Sequence, residues 1–188
     1  MTALVQPRLT FQEFLAWENA QPERHEFHRG EVFAMTGARR AHGCVVANLV
    51  RHLGNRLAGT RCRCFSESMK LQIADDTILY PDVCVTCDPA DLATEMIFRA
   101  PTLVIEVLSP STHGYDRSQK FALYRRLPTL VEYILVDPDT RRVEAFRRGA
   151  AGEWTFHDMS DDEALHAASI DARVPLAEVF DGVEAAAG

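Results

Sequence analysis

Lysine is almost absent from this chain. Of its 20 basic residues only Lys70 and Lys120 are lysine, so any chemistry that needs an amine has two candidates. An excess of positive charge is missing as well: 27 acidic residues against the 20 basic ones give a net charge of −7. That balance argues against a protein that coats nucleic acid nonspecifically through bulk charge. No apolar stretch approaches the roughly 18 residues that a membrane-spanning helix needs, so no membrane partner is expected. The opening MTALVQPRLTFQEF has no basic segment leading into an apolar run, and no signal peptide is expected. Internal repeats and low-complexity linkers are absent, which excludes a solenoid or a tethered array. The five cysteines are odd in number and sit mostly in strand-like segments. A cytoplasmic protein with free thiols is the simplest reading.

What is present fits one globular domain over residues 1–188, with its core at about 9–180. Hydrophobic residues make up 47% and charged residues 25%, a balance that excludes disorder. A domain of this size buries roughly 70% of its unfolded surface, so the core requires neither disulfide nor metal. Thr10 and Glu13 have the spacing of a capping box before the apolar stripe Phe11, Phe14 and Leu15, and Asn19 to Pro22 end that helix. HEFHRGEVFAM reads as two short strands turning at Arg29-Gly30. From about Arg40 to Leu57, Val45, Leu49, Leu53 and Leu57 recur at steps of four, and Gly59 follows as a stop.

The middle of the chain is strand-rich, with candidates at RCRCF (61–65), MKLQIA (69–74), ILYPDVCVTC (78–87) and TLVIEVL (102–108). A helix follows from about Tyr115 to Leu127, then strands at VEYILVD (131–137), RRVEAFRR, EWTFH and LHAASI, and a short helix near Pro175 to Phe180. The expected class is α/β or α+β, built on a mixed sheet.

Glu106 is the sharpest local anomaly. It stands in the middle of LVIEVL, where a carboxylate loses its water and needs a partner. A buried ion pair with an arginine would satisfy it. Asp82, in YPDVCV, offers another reading: if the two strands are neighbours, Asp82 and Glu106 meet at one edge. Two carboxylates that close need a cation between them, and magnesium or manganese suits such an oxygen-lined site. Beyond Glu106, the segment SPSTHGYDRSQKFALYRR offers Ser109, Ser111 and Thr112 as caps for the next helix. Asp116, Lys120 and Tyr124, spaced by four, share one face of that helix. The pair Asp116–Lys120 is either an exposed surface pair or a device that sends an ammonium over the end of the Glu106 strand, to orient water or offset transition-state charge.

These segments resemble the Uma-two family of the restriction-endonuclease-like PD-(D/E)XK superfamily. The matching pieces are HEFHRGEVFAM with His42 downstream, YPDVCV, LVIEVLSPST, DRSQKFALY, VEYILVDP and VPLAEVF, together spanning about Leu9 to Phe180. The resemblance implies a mixed central sheet flanked by helices, with the active site at the sheet edge. It implies a metal-dependent nuclease in which Asp82 and Glu106 bind Mg2+ or Mn2+ and Glu26 assists. His42 matches a histidine at the start of the family's second helix and reads equally well as a helix-capping residue. The superfamily lysine stands two residues after the acidic residue, and here that position is Leu108. Lys120 is the natural replacement, with Lys70 the runner-up. The implied partner is nucleic acid, DNA before RNA, and a homodimer is the implied assembly.

Two other readings compete. The displaced lysine and the acidic charge fit a binding module that kept the fold and lost turnover. Cys62-x-Cys64 and Cys84-x2-Cys87 superficially suggest zinc, but Cys84 and Cys87, three apart in a strand, point to opposite faces. Arginine pairs at 39–40 and 125–126 read as phosphate contacts or as solvated surface.

Overall fold

The structure, a computed structural model, describes residues 8–35, 37, 39–110 and 113–184. Helix α1 (Phe11–Glu18) opens on the expected capping box: the Glu13 amide donates to the Thr10 hydroxyl, and the Glu13 carboxylate accepts from the Thr10 amide at 2.7 Å. Strands β1 (His25–His28) and β2 (Glu31–Ala34) come next as an antiparallel hairpin. Its turn residues Arg29 and Gly30 have φ of 51° and 86°, the left-handed pair that a tight hairpin turn requires. Helix α2 (Arg40–Arg56) is followed by β3 (Arg63–Ser66), β4 (Lys70–Ala74), β5 (Thr77–Leu79) and β6 (Val83–Thr86). Helix α3 (Pro89–Leu92), β7 (Ile97–Phe98) and β8 (Pro101–Val107) lead into one interrupted helix. That helix comprises α4 (His113–Tyr115), a π-helical turn (Asp116–Lys120) and α5 (Phe121–Tyr124). The rest of the chain is β9 (Glu132–Asp137), β10 (Arg142–Arg148), β11 (Trp154–Asp158), β12 (Ala164–Ala167), a 3-10 turn (Ala168–Ile170), β13 (Ala172–Pro175) and α6 (Leu176–Val179).

The strands form a six-stranded mixed sheet in the order β11-β10-β9-β8-β6-β3, a five-stranded sheet in the order β2-β1-β5-β4-β7, and the small pair β12-β13. The expected mixed α+β class holds, with the strands divided between two main sheets. β8 runs parallel to β9 and antiparallel to β6, which explains its nearly continuous Leu, Val and Ile: both of its faces are covered. On one face, Leu103, Ile105 and Val107 pack against Val45, Leu49 and Leu53 of α2. On the other, Val104 and Leu108 meet Tyr124, Tyr133 and the inner residues Leu71 and Leu79 of the five-stranded sheet. Helix α1 covers the remaining face of that second sheet, its Phe14 packing on Phe27 of β1 and Ile78 of β5.

Several expectations change. ILYPDVCVTC is not one strand: it breaks at Tyr80-Pro81-Asp82, where the chain crosses from the five-stranded sheet to the six-stranded one. Pro81 has no amide to give a ladder and fits only at such a break. The cysteines are not all free, since Cys62 and Cys87 form a disulfide while Cys44, Cys64 and Cys84 remain thiols. The cause is register: Cys64 pairs with Val85 and Arg63 with Thr86, so one step further Cys62 comes opposite Cys87. The proposed caps Ser111 and Thr112 lie outside the described residues. No helix among the described residues is long and apolar enough to cross a membrane.

Candidate active site

Glu106 is the last residue but one of β8, on the face shared with Val104. It is 1% exposed, and what makes this tolerable is a pair of donors on one oxygen. Lys120 Nζ lies 3.0 Å from Glu106 Oε1, and the Tyr124 hydroxyl donates to the same oxygen at 2.8 Å. Glu26 approaches from β1 of the other sheet. Its Oε1 accepts from the Tyr80 amide at 3.2 Å and stands 3.2 Å from the same Lys120 ammonium. Its Oε2 is buried without a hydrogen-bond partner. Asp82, just past the Pro81 crossing, spends Oδ2 on the Val107 amide at 2.7 Å and on His42 Nε2 at 3.2 Å. Three separate elements therefore deliver Glu26, Asp82 and Glu106 to one place, and the helix after β8 delivers the lysine.

The π-helical turn is what aims that lysine. Asp116 and Lys120 are both buried, so the reading of an exposed i,i+4 pair fails. The Asp116 carbonyl accepts a hydrogen bond from the Tyr133 hydroxyl on β9 at 2.9 Å. The Asp116 carboxylate lies 3.9 Å from Lys120 Nζ. A single extra residue in a helical turn rotates the side chains beyond it, and such turns recur where a side chain must be re-aimed. Tyr124, four residues on, then meets Glu106 from the same side.

Glu26, Asp82, Glu106, Asp116, Lys120 and His42 all line one cavity of about 730 Å³. Its lining carries an excess of carboxylates, with Lys120 the buried cation among them and the exposed Arg24 and Arg39 beside them. Burial raises Glu106 well above the ordinary carboxylate range, with Lys120 pulling it back only in part. Glu26 is raised for the same reason, again opposed by Lys120. Burial works to lower Lys120, but Glu106, Glu26, Asp116 and Asp82 overcome it and hold the ammonium well above its usual value. Burial also opposes ionisation of Asp82, yet the His42 hydrogen bond and the Lys120 charge win and its pKa is lowered. His42 is raised by Asp82 in spite of its partial burial. Lys120 is therefore a proton-bearing donor here rather than a base.

The four residues singled out from the sequence thus converge. Lys70 does not join them: it is tied to Asn19 Oδ1 at 3.3 Å and lies over the Tyr80 ring. Asp116 stands beside Lys120, as one of the two sequence readings had it, whereas the contact of Tyr133 with the Asp116 carbonyl was assigned by neither. A tyrosine inside the apolar run VEYILVD needs a hydroxyl partner, and that was the signal for Tyr133. Among the described residues, no three His, Cys, Asp or Glu side chains stand close enough to hold a metal together.

Residues 11–175 match the Uma2 (Uma-two) family, which bears the description “Putative restriction endonuclease”. The chain is 34% identical over 178 residues to “Uncharacterized protein slr1290” of Synechocystis sp. (strain ATCC 27184 / PCC 6803 / Kazusa), covering 94% of each chain. It is 33% identical over 159 residues to “Uncharacterized protein sll1609” of the same organism, covering 83% of this chain and 90% of that one. In fold it is similar to a crystal structure of “a putative nuclease belonging to DUF820 from Anabaena variabilis ATCC 29413”, with a TM-score of 0.77 and 18% identity over 94% of this chain and 99% of that one. By the extent of the family match and the identity with these relatives, the chain belongs to the Uma2 family of restriction-endonuclease-like proteins.

Proposed function

We propose that this protein is a metal-dependent nuclease that hydrolyses phosphodiester bonds in nucleic acid, DNA before RNA. One observation carries the reading. Lys120, brought in from the helix after β8, stands between Glu26 and Glu106 and supplies the amine that the strand lacks at Leu108. Asp82 and the carboxylates around it give hard oxygen donors, and the unpartnered Glu26 Oε2 is what a cation site would leave open. Magnesium or manganese commonly binds through one or two carboxylates and completes its shell with water, so Asp82 and Glu106 would supply the direct oxygens and Glu26 would assist through a bound water. When bound, such an ion supplies charge stabilisation at a phosphoryl oxygen and activates water.

The protein's own groups supply the rest. Lys120, kept protonated by its acidic neighbours, donates to the water aligned for in-line attack or to the phosphoryl oxygen on which charge develops. Tyr124 and Glu106 fix where that ammonium points. His42 and the Val107 amide fix the Asp82 carboxylate.

The test is cleavage of plasmid, linear and single-stranded substrates with magnesium or manganese. Asp82→Ala and Glu106→Ala are expected to lose about 10²–10³-fold in rate. Equal cleavage by wild type and both variants, in carefully purified preparations, would sink the assignment.

A second reading has its own support. Lys120 already neutralises much of the Glu26–Glu106 charge, and no three-residue metal cluster stands among the described residues. A module that binds nucleic acid or a partner without metal would look the same. Metal-titration calorimetry on wild type and Glu106→Gln separates the two: a site that disappears in the variant favours the nuclease.

A further inference from the structure

A second groove, of about 640 Å³, adjoins the acidic cavity. Tyr115 lines both, so the two meet along one side chain. Strand β1 runs from one to the other. Glu26 and His28 are two residues apart and so share a face; Glu26 lines the cavity and His28 the groove. Two strand residues span about 7 Å, the scale of one to two nucleotide steps.

The groove has the opposite electrostatic character to the cavity. Arg29, from the β1–β2 turn, and Arg126, from just beyond α5, flank it. Both reach Asp76, at 3.8 and 3.3 Å, so two guanidinium groups share one carboxylate and a net positive charge is left. Both arginines are exposed, and a guanidinium has five donors, enough to hold Asp76 and still reach a phosphate. Phe33 and Tyr115, each half-buried, present ring surface to the same groove. Arg29 also breaks a local rule. It occupies a left-handed position, φ 51°, in a turn that favours Asn, Asp or Gly, and such departures concentrate where function asks for a particular side chain.

We infer that this groove is a binding subsite for single-stranded nucleic acid, taking the segment that flanks the phosphate held in the acidic cavity. Arg29 and Arg126 contact its backbone, and Phe33 and Tyr115 stack against a base. This combination of cationic rim and aromatic floor binds single strands with little sequence preference. His28, held on Thr77 at 2.9 Å, offers a hydrogen-bonding edge between the two sites. The inference rests on the nuclease reading for its occupant, but the groove is tested by binding and not by turnover.

The experiment measures fluorescence anisotropy of short labelled single-stranded DNA and RNA oligonucleotides, in EDTA at low salt, so that no cleavage intervenes. Wild type is expected to bind, and Arg29→Ala with Arg126→Ala to lower affinity at least about tenfold. Two lost phosphate contacts should also shrink the slope of log K against log salt by about 1.4. Arg126→Lys should restore part of the affinity. Arg142→Ala, on β10 and remote from the groove, removes the same charge as either groove substitution made singly and is expected to change little. The inference is overturned if wild type binds neither oligonucleotide, if the double variant binds as wild type does, or if Arg142→Ala weakens binding as much as either groove substitution. It is also overturned if inorganic phosphate alone displaces all of the arginine-dependent binding at the concentration that saturates the groove, since that marks a simple anion site. Failure of the nuclease reading is distinguishable, because it appears as cleavage indifferent to Asp82→Ala while binding remains arginine-dependent.

Discussion

Lys120 is the residue on which the site's charge depends, because Glu26 and Glu106 both reach it from buried positions. Removing one partner of a buried pair strands the other, which costs about 3–5 kcal/mol. Lys120→Met is therefore expected to lose that much stability at pH 8. The loss has a definite pH sign. Both carboxylates already lie above the ordinary range because burial outweighs Lys120, and without the ammonium they rise further. A group whose folded pKa is raised binds its proton more tightly in the folded state, so its stability contribution falls as pH rises through that value. The deficit of Lys120→Met should thus shrink toward pH 5, in urea melts taken at both pH values; a deficit independent of pH would mean lost packing alone. His42 and Asp82 behave as a complementary pair. The His42 pKa is raised from 6.5, so its share of stability is complete below about that pH and is lost as pH rises through the folded value. Asp82 is lowered from 3.8, so its share is present above that pH and is lost as pH falls through the folded value. Wild type should exceed His42→Asn by about 1–2 kcal/mol near pH 5–6 and by little near pH 9, measured as unfolding free energies.

The helix after β8 shows why elements matter beyond their residues. Periodicity alone gives an α-helix over Tyr115–Leu127 with Asp116 and Lys120 on one stripe, as an exposed pair or as a lysine sent over the Glu106 strand, and both residues are in fact buried on a π-helical turn. Nothing in the local sequence reports that extra residue in the turn. It is held from outside, by the Tyr133 hydroxyl on the Asp116 carbonyl. Tyr133→Phe removes this donor and leaves a buried acceptor, at a cost of about 1–2 kcal/mol in thermal or urea melts. If the turn then relaxes toward α-helix, Lys120 swings off Glu106, and cleavage should fall more than oligonucleotide binding does. An equal fall in both would assign Tyr133 to stability alone. The same contrast separates what was legible elsewhere. The capping box at Thr10, the Arg29-Gly30 turn and the α2 stripe are local signals, and all three stand in the structure. The break at Pro81 and the two-residue strand β7 depend on which sheet a neighbouring segment joins, and short-range pattern does not carry that. Glu106 was legible for another reason: a carboxylate in an apolar strand demands a partner wherever that partner originates.

At the scale of the whole molecule, the site exists because the chain leaves one sheet and comes back. Between Cys62 and Cys87 it departs from the six-stranded sheet at β3, builds β4 and β5 of the five-stranded sheet, and returns at β6. Asp82 lies on the return, one residue before β6. The disulfide joins the entrance and the exit of this excursion, across 25 residues of sequence. A link closing a loop of that length restricts the unfolded chain by about 3–4 kcal/mol in the loop-entropy account. Neither residue lines the acidic cavity, so the link stabilises the frame that presents Asp82 without entering the chemistry. Reduction, or Cys62→Ser with Cys87→Ser, should therefore lower the urea midpoint while leaving the metal dependence and pH profile of the proposed cleavage unchanged. The oxidised protein should titrate three thiols when denatured, matching Cys44, Cys64 and Cys84. Five titratable thiols with unchanged melts on reduction would show that register alone, through the β3–β6 ladder, keeps the two sheets in place.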